Sequence, residues 1–130
     1  MEKTLAPHHV LFALCMMLTG CGSDQATIWS AKASSPNGQL VASAQTTQIS
    51  GPGTAYVGTV VHLAQARARN RLLILSFTNA SAYPSGTTAV DLHWLSNSQL
   101  DVTYKSGATI NFQAIKALGV SITAHQQAQN

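Results

Sequence analysis

Charged side chains are few in this chain, and acidic ones are the scarcest. Among 130 residues there are seven Lys or Arg and four Asp or Glu, and Glu2 is the only glutamate. Solubility must therefore come largely from Ser, Thr, Gln and Asn. A nucleic-acid-binding protein usually carries a dense Lys/Arg stripe interleaved with aromatic residues. The only basic cluster here is Arg67, Arg69 and Arg71, so nucleic acid is excluded as the expected partner.

Cysteine is almost absent, and both cysteines, Cys15 and Cys21, fall near the amino terminus. A chain that lost its first 20 residues would keep only Cys21. It would then have no second cysteine with which to form an internal disulfide. The same loss would remove one charge of each sign, Glu2 and Lys3, so the net charge of +3 would not change.

Long apolar runs are also absent. The longest unbroken one, residues 10–18, is too short to span a bilayer as a helix, which needs about 20 apolar residues. It has the length of the apolar middle of a secretory signal, about 7–15 residues. The run leads into Leu18-Thr19-Gly20-Cys21, an aliphatic residue followed by two small residues and a cysteine. This sequence resembles the lipobox of bacterial lipoproteins.

The resemblance implies a lipidated amino terminus. A signal peptidase would cut between Gly20 and Cys21, and a diacylglyceryl group would join the Cys21 sulfur. The acyl chains would hold the protein at a membrane, because each buried methylene contributes about 0.8 kcal/mol. Gly22 stands where aspartate favours inner-membrane retention, so the outer membrane facing the periplasm is expected if the host is Gram-negative. An ordinary signal peptide with a chance cysteine and an uncleaved apolar anchor are the alternatives.

One domain is expected after this segment. We predict a lipoprotein signal peptide at residues 1–20, a lipidated amino terminus and short tether at 21–25, a single β-rich domain at 26–124, and a flexible tail at 125–130. The residues left after cleavage, about 110, suffice for one hydrophobic core.

Strand patterns fill the first half of this domain. Segments 26–34 and 39–50 flank Ser35-Pro36-Asn37-Gly38, whose Pro and Asn-Gly are typical of turns, so the pair predicts a hairpin. Residues 56–64 predict a third strand. Residues 72–78 predict a fourth, central strand because its apolar run is continuous, and 79–87 a loop.

Alternation is clearest in the last third of the chain. One buried face is expected to carry Val90, Leu92, Trp94, Leu100, Val102, Tyr104, Ile110 and Phe112. Turns at Asn97-Ser98 and Ser106-Gly107 would join these strands into a three-stranded antiparallel meander with one buried and one wet face. Residues 113–118 predict one helical turn ended by Gly119, and 120–123 a last strand. The expected fold is therefore mainly β: a single small antiparallel meander sheet, a curved sheet, or a small sandwich or barrel-like fold.

The domain is similar to small uncharacterised bacterial envelope proteins. The shared features are Trp29, the turn at Ser35 to Gly38, the segment Gly51 to Val57, and a late hairpin from Trp94 to Tyr104. They are structural features, so the resemblance implies a fold and no activity. Trp29, Trp94, Tyr56 and Tyr104 are expected in the core because apolar neighbours share their faces.

The polar residues that best match a catalytic or metal-binding site are Asp91, His93 and Asp101. Asp91 and His93 lie on one strand face, and Asp101 falls on the predicted neighbouring strand. A carboxylate that orients a histidine is half of a hydrolase triad, and the set could bind a metal ion if His62 joined it. Solvent-facing residues of an amphipathic sheet are the favoured interpretation. The chain has no Gly-x-Ser-x-Gly nucleophile motif, and we predict no metal and no cofactor.

Two further segments are candidates for binding. Gly51-Pro52-Gly53-Thr54-Ala55 could receive an anion on its amides, although a tight connection that needs glycine is favoured. In an extended segment Arg67, Arg69 and Arg71 would share a face. They could contact anionic lipid headgroups, with about 1 kcal/mol per basic residue, or an acidic glycan or protein. Solubilising charge on an exposed loop is the alternative.

The sequence therefore predicts a membrane-anchored envelope lipoprotein that acts as a non-enzymatic interaction or structural module. Its expected partners are membrane lipid through Cys21, and another envelope protein or an anionic surface. One rival is a small periplasmic hydrolase that uses His93 with Asp91 or Asp101. Another is a surface factor that acts on other cells.

Overall fold

A computed structural model describes residues 24–51, 56–79, 89–105 and 107–128. The predicted signal segment, Cys21, loop residues 52–55 and nearly all of the predicted loop 79–87 lie outside the described residues. Strands and no helix make up the regular structure of the described part, and none of it forms a helix that could cross a membrane. In chain order the strands are β1 Asp24–Ser34, β2 Leu40–Ser50, β3 Tyr56–Gln65, β4 Leu72–Asn79, β5 Val90–Ser96, β6 Gln99–Tyr104, β7 Ala108–Gln113, β8 Lys116–Ala117 and β9 Val120–Gln126.

The strands form two sheets over one core, and the prediction of a mainly β fold is confirmed. The first sheet is antiparallel throughout, with the order β1-β2-β3-β4-β7. The second sheet has the order β5-β6-β9-β8, and β6 and β9 run parallel. Buried apolar residues of both sheets belong to a single cluster. The architecture is a small sandwich.

The predicted first hairpin is confirmed, and its turn is held by side chains. Asn37 Oδ1 accepts hydrogen bonds from Ser35 Oγ at 2.8 Å and from the Gln39 amide at 3.1 Å. The Ser35 carbonyl accepts one from the Gly38 amide at 2.8 Å. Gly38 has a φ of 70°, which glycine adopts without steric cost. The backbone N–H of Asn37 donates to the side-chain Oδ1 of Asn97 at 2.9 Å. This hydrogen bond connects the first turn to the β5–β6 turn.

Alternation supplies the core. Leu63 and Phe77 of the first sheet and Val102 and Val120 of the second are fully buried. Each such side chain contributes about 1.5–3 kcal/mol relative to exposure. Trp94 joins the sheets directly, since its indole N–H donates to the Ala33 carbonyl at 3.0 Å.

The predicted three-stranded meander is wrong in its third member. β5 and β6 form the expected hairpin, but β7 pairs with β4 in the first sheet. The place beside β6 is taken by β9, whose Val120 and Ile122 are buried. Alternation fixes which side chains are buried, but it does not identify the neighbouring strand. The chain therefore passes from the second sheet to the first between β6 and β7 instead of turning back on β6.

Phe112 was expected beside Ile110 on the buried face and is instead 45% exposed. Phe77 pairs with Ile110, whereas the preceding Ser76 pairs with Phe112, so Asn111 is an extra residue in the ladder. An extra residue of this kind is a β-bulge, and it moves the following side chain to the other face.

The predicted helical turn at 113–118 is also wrong. Lys116 and Ala117 form β8, which pairs with Ser121 and Val120 of β9. The two residues between them, Leu118 and Gly119, have φ values of 48° and 76°. Positive φ at both central positions is the condition for a type I′ hairpin turn, so Gly119 closes a hairpin and does not cap a helix. β9 continues to Gln126, so His125 of the predicted tail belongs to a strand.

Candidate functional sites

The outer face of the second sheet, here called the acidic face, carries Asp91, His93, Asp101, Thr103 and His125. The ladder pairs Asp91 with Thr103, His93 with Asp101, and Thr103 with His125. The expected neighbourhood of His93 and Asp101 is therefore present. His125 completes it from β9, and the sequence prediction missed it because that strand was expected to end at 123.

Side-chain contacts on the acidic face centre on His125 and not on His93. Asp101 Oδ1 lies 3.2 Å from His125 Nδ1, and His125 Nε2 lies 3.3 Å from Thr103 Oγ1. The order carboxylate, imidazole, hydroxyl is that of a hydrolase triad. The side chains of His125 and Asp101 are 52% and 22% exposed, and an exposed ion pair contributes only about 0–1 kcal/mol.

The backbone at this triad-like arrangement is largely paired within the second sheet. Hydrolases stabilise the developing oxyanion with free backbone N–H groups or equivalent donors. β6 lies between β5 and β9, and each of residues 99–104 has a ladder partner in both strands. The β6 amides are therefore committed to the sheet, whereas β8 pairs with β9 only at Val120 and Ser121.

His62 does not join the acidic face. It lies on β3 in the first sheet, opposite Ser43 of β2 and Leu73 of β4. No group of three or more His, Cys, Asp or Glu side chains suited to a metal ion occurs among the described residues. The metal set that His62 would have completed is thus divided between opposite faces of the sandwich.

Basic residues gather on the outer face of the first sheet. Lys32 of β1 and Arg69 and Arg71 of the β3–β4 loop line one cavity of about 350 Å³, here called the basic groove. Ser34, Ser43 and Gln65 add hydroxyl and amide groups to its walls. Lys32 is placed there by the ladder, which pairs it with Ser43 on the same face.

Arg67 does not share the groove with the other two arginines. It lines a separate cavity of about 580 Å³ with Gly38, Gln39 and Leu118. The loop is a turn at this point, since the Ala68 amide donates to the Gln65 carbonyl at 3.0 Å. The extended conformation under which all three arginines would share one face is therefore not formed. No local pattern pointed to Lys32, which lies more than thirty residues earlier in the chain.

The basic groove is positive, and its described lining includes no carboxylate. Lys32, Arg69 and Arg71 form no ion pair with any described residue. Of the described acidic residues, Asp91 and Asp101 lie on the acidic face, and Asp24 is at the other end of β1. His62 lines a small adjoining cavity together with Lys32 and Arg71. Burial and the Arg71 guanidinium lower its pKa. An anion would meet three cations here and no acidic side chain of the described part of the chain.

Three of the four aromatic residues assigned to the core do pack against it. Trp29, Trp94 and Tyr104 contact the core cluster, and the Tyr104 ring lies 5.5 Å from that of Phe77. Tyr56 is 47% exposed, so its assignment to the core is wrong. It is the first residue of β3 and pairs with Ile49, whereas the next residue, Val57, points into the core.

The Gly51–Ala55 loop is described only at Gly51, so its proposed anion contact lies outside the described residues. Comparison of the chain with known protein families, with curated proteins and with solved structures finds no match.

Proposed function

We propose that this protein is a bacterial envelope lipoprotein, held at a membrane by acyl chains on Cys21. The support is the apolar run followed by Leu18-Thr19-Gly20-Cys21, which resembles a lipobox. β1 begins at Asp24, so only residues 22 and 23 separate the lipidated cysteine from the sandwich. Two or three acyl chains give lasting attachment, whereas one chain is marginal.

The domain would act as a non-enzymatic interaction module, and the basic groove is its contact surface. The observation that carries this proposal is the convergence of Lys32, Arg69 and Arg71 on one groove, among whose described lining residues there is no carboxylate. Arginine forks match carboxylate and phosphate groups with two parallel hydrogen bonds. The partner is therefore anionic, and Arg67 in the neighbouring cavity would widen the positive surface.

Intact mass spectrometry of the membrane-extracted protein tests the anchor. The wild type should lack residues 1–20 and carry the added mass of two or three acyl chains. Cys21→Ala should lack that mass and leave the membrane fraction. An unmodified wild-type chain, cleaved or intact, would sink the lipoprotein proposal while leaving the sandwich and its basic groove unaffected.

A small hydrolase is the second candidate, favoured by the Asp101–His125–Thr103 arrangement. In this case His125→Ala should abolish hydrolysis of a nitrophenyl ester with an unchanged thermal melt. His93→Ala is the matched control, because His93 shares the face but forms no hydrogen bond or ion pair with a described residue. Equal, background-level hydrolysis by both variants and the wild type would remove this candidate.

A further inference from the structure

The basic groove lies at the end of the sandwich opposite the predicted anchor. The ladder pairs Asp24 with Ser50 at one end of β1 and Ser34 with Val41 at the other. The second end also holds Gln65, which pairs with Leu40, and the arginine-containing loop that follows it. Cys21 precedes the first end.

The separation between the two ends is large compared with the reach of surface electrostatics. β1 has 11 residues, and a strand rises about 3.3 Å per residue, so its ends are about 33 Å apart. The two residues between Cys21 and Asp24 add a reach of only about 10 Å. At physiological ionic strength charges are screened beyond about 8 Å. Anionic headgroups around the lipid anchor are therefore poorly placed to occupy the groove.

The groove walls are suited to a hydroxyl-rich anion. Besides its three cations, the cavity is lined by three residues with hydroxyl or amide side chains and by four small apolar residues: Ser34, Ser43 and Gln65, and Val41, Ala64, Ala66 and Ala68. Its volume of about 350 Å³ is in the range of small-ligand sites, about 300–1,000 Å³. No aromatic side chain lines its described part, so it offers no platform for nucleic-acid bases to stack. Carboxylate, sulfate or phosphate groups carried on sugar units match this combination.

We propose that the basic groove binds an acidic glycan that lies away from the anchoring membrane. The proposal rests on the lipid anchor at Cys21 for the direction in which the groove faces. The binding chemistry itself does not depend on the anchor, since it rests on the cations and the polar side chains that line the groove. The anchor would hold one end of the sandwich at the bilayer while the other end holds the sugar chain.

The test uses the full lipidated protein reconstituted in phosphatidylcholine vesicles, with a fluorescent heparin fragment as the acidic-glycan probe. The wild type should bind the fragment in a salt-dependent manner. The double variant Arg69→Gln, Arg71→Gln should bind at least about tenfold more weakly, because it loses two guanidinium groups that donate charge-assisted hydrogen bonds to the anion. In the single-charge comparison, Arg71→Gln should weaken binding and Lys116→Gln should change it less than twofold. Lys116 is the control because it lies on β8 in the other sheet.

A second arm separates the glycan from the anchoring membrane. In vesicles of equimolar phosphatidylcholine and phosphatidylglycerol, the wild type should still bind heparin. The ratio of its affinity to that of the double variant should equal the ratio measured in neutral vesicles. A fall of this ratio to one would show that the groove lies on the anionic bilayer, and would overturn the proposal. Equal binding by the wild type and the double variant in neutral vesicles would overturn it too.

Failure of the anchor gives a different result. A chain without lipid would not stay with the vesicles, and the same heparin titration would then be made on the free protein. Groove-dependent binding by that free chain would keep the glycan site and remove the lipid anchor. Absence of binding would remove the glycan site whatever the state of Cys21.

Discussion

The two outer faces of the sandwich differ much more than its two inner faces do. Both inner faces are mainly apolar and meet in one core, although the first sheet also buries Thr46 and Thr59, whose hydroxyls lie 2.8 Å apart. Outside, the second sheet carries two aspartates with His93, His125 and Thr103, whereas the first sheet carries the cations of the basic groove together with exposed Tyr56 and Phe112. The net charge of +3 conceals this segregation. The alternation that builds the fold is thus common to the sheets, and what distinguishes them is on the surface.

The largest expected effect is a loss of stability from the removal of a core side chain that supports both sheets. Phe77→Ala should lower the free energy of unfolding by about 3–5 kcal/mol, because it leaves a cavity beneath both sheets. Phe112→Ala deletes the same atoms from the outer face and should cost less than about 1 kcal/mol. Urea unfolding of the two variants measures the difference. Comparable losses would mean that the bulge at Asn111 does not place Phe112 outside the core.

A smaller effect compares one glycine in each sheet. Gly119→Ala in the second sheet should destabilise by about 1 kcal/mol or more, because its φ of 76° strains a residue with a Cβ. Gly58→Ala in the first sheet should be neutral or stabilising, because a Cβ there would meet only the Tyr56 ring, at an ordinary 3.6 Å. Thermal unfolding of both variants is the measurement. A Gly119→Ala protein as stable as the wild type would argue against the two-residue turn.

The stability of the protein should depend on pH through His62 of the first sheet. Burial and Arg71 lower its pKa below the ordinary value of 6.5, so at mildly acidic pH the unfolded chain binds a proton that the folded chain does not. Stability should therefore be fully present above about pH 6.5 and fall as the pH drops from there toward the lower folded pKa. Unfolding measured on both sides of this window should show the loss, and His62→Gln should remove it.

Arg71→Gln gives an independent check on the same group. An NMR titration should show the His62 pKa moving back toward its ordinary value, because one of its two causes has been removed. Arg67→Gln removes the same charge from the neighbouring cavity and should move the pKa less. Equal movement in both variants would mean that the loop arginines act as a diffuse charge and not through the basic groove.

The smallest effect concerns the acidic face. Asp101→Asn should change the free energy of unfolding by less than about 1 kcal/mol, because the contact with His125 is solvent-exposed and screened by salt. Chemical unfolding at low and high salt measures it. A loss well above this size would identify the network as a structural element of the second sheet and not a surface feature.

The sequence predicted local features well and long-range ones poorly. The first hairpin follows from Pro36 and Asn37-Gly38, and the β5–β6 hairpin from strict alternation around Asn97-Ser98. Neither pattern contains information on where β7 or β9 pairs. The same limit applied to the sites. The residues of the acidic face on β5 and β6 were identified, but His125 and Lys32 reach their neighbours only through strand pairings that no local signal encodes.

The parallel pairing of β6 with β9 also sets the earliest point during synthesis at which the second sheet can be completed. β9 lies between β6 and β8, so the second sheet stays open until residues 120–126 have been synthesised. Until then Leu100 and Val102 lack one flank of their sheet. Non-local pairing of this kind folds slowly, and a ribosome adds about 5–20 residues per second. If the chain is exported as proposed, it cannot complete its fold before β9 has been synthesised. It would therefore still be unfolded enough to pass through a translocation pore.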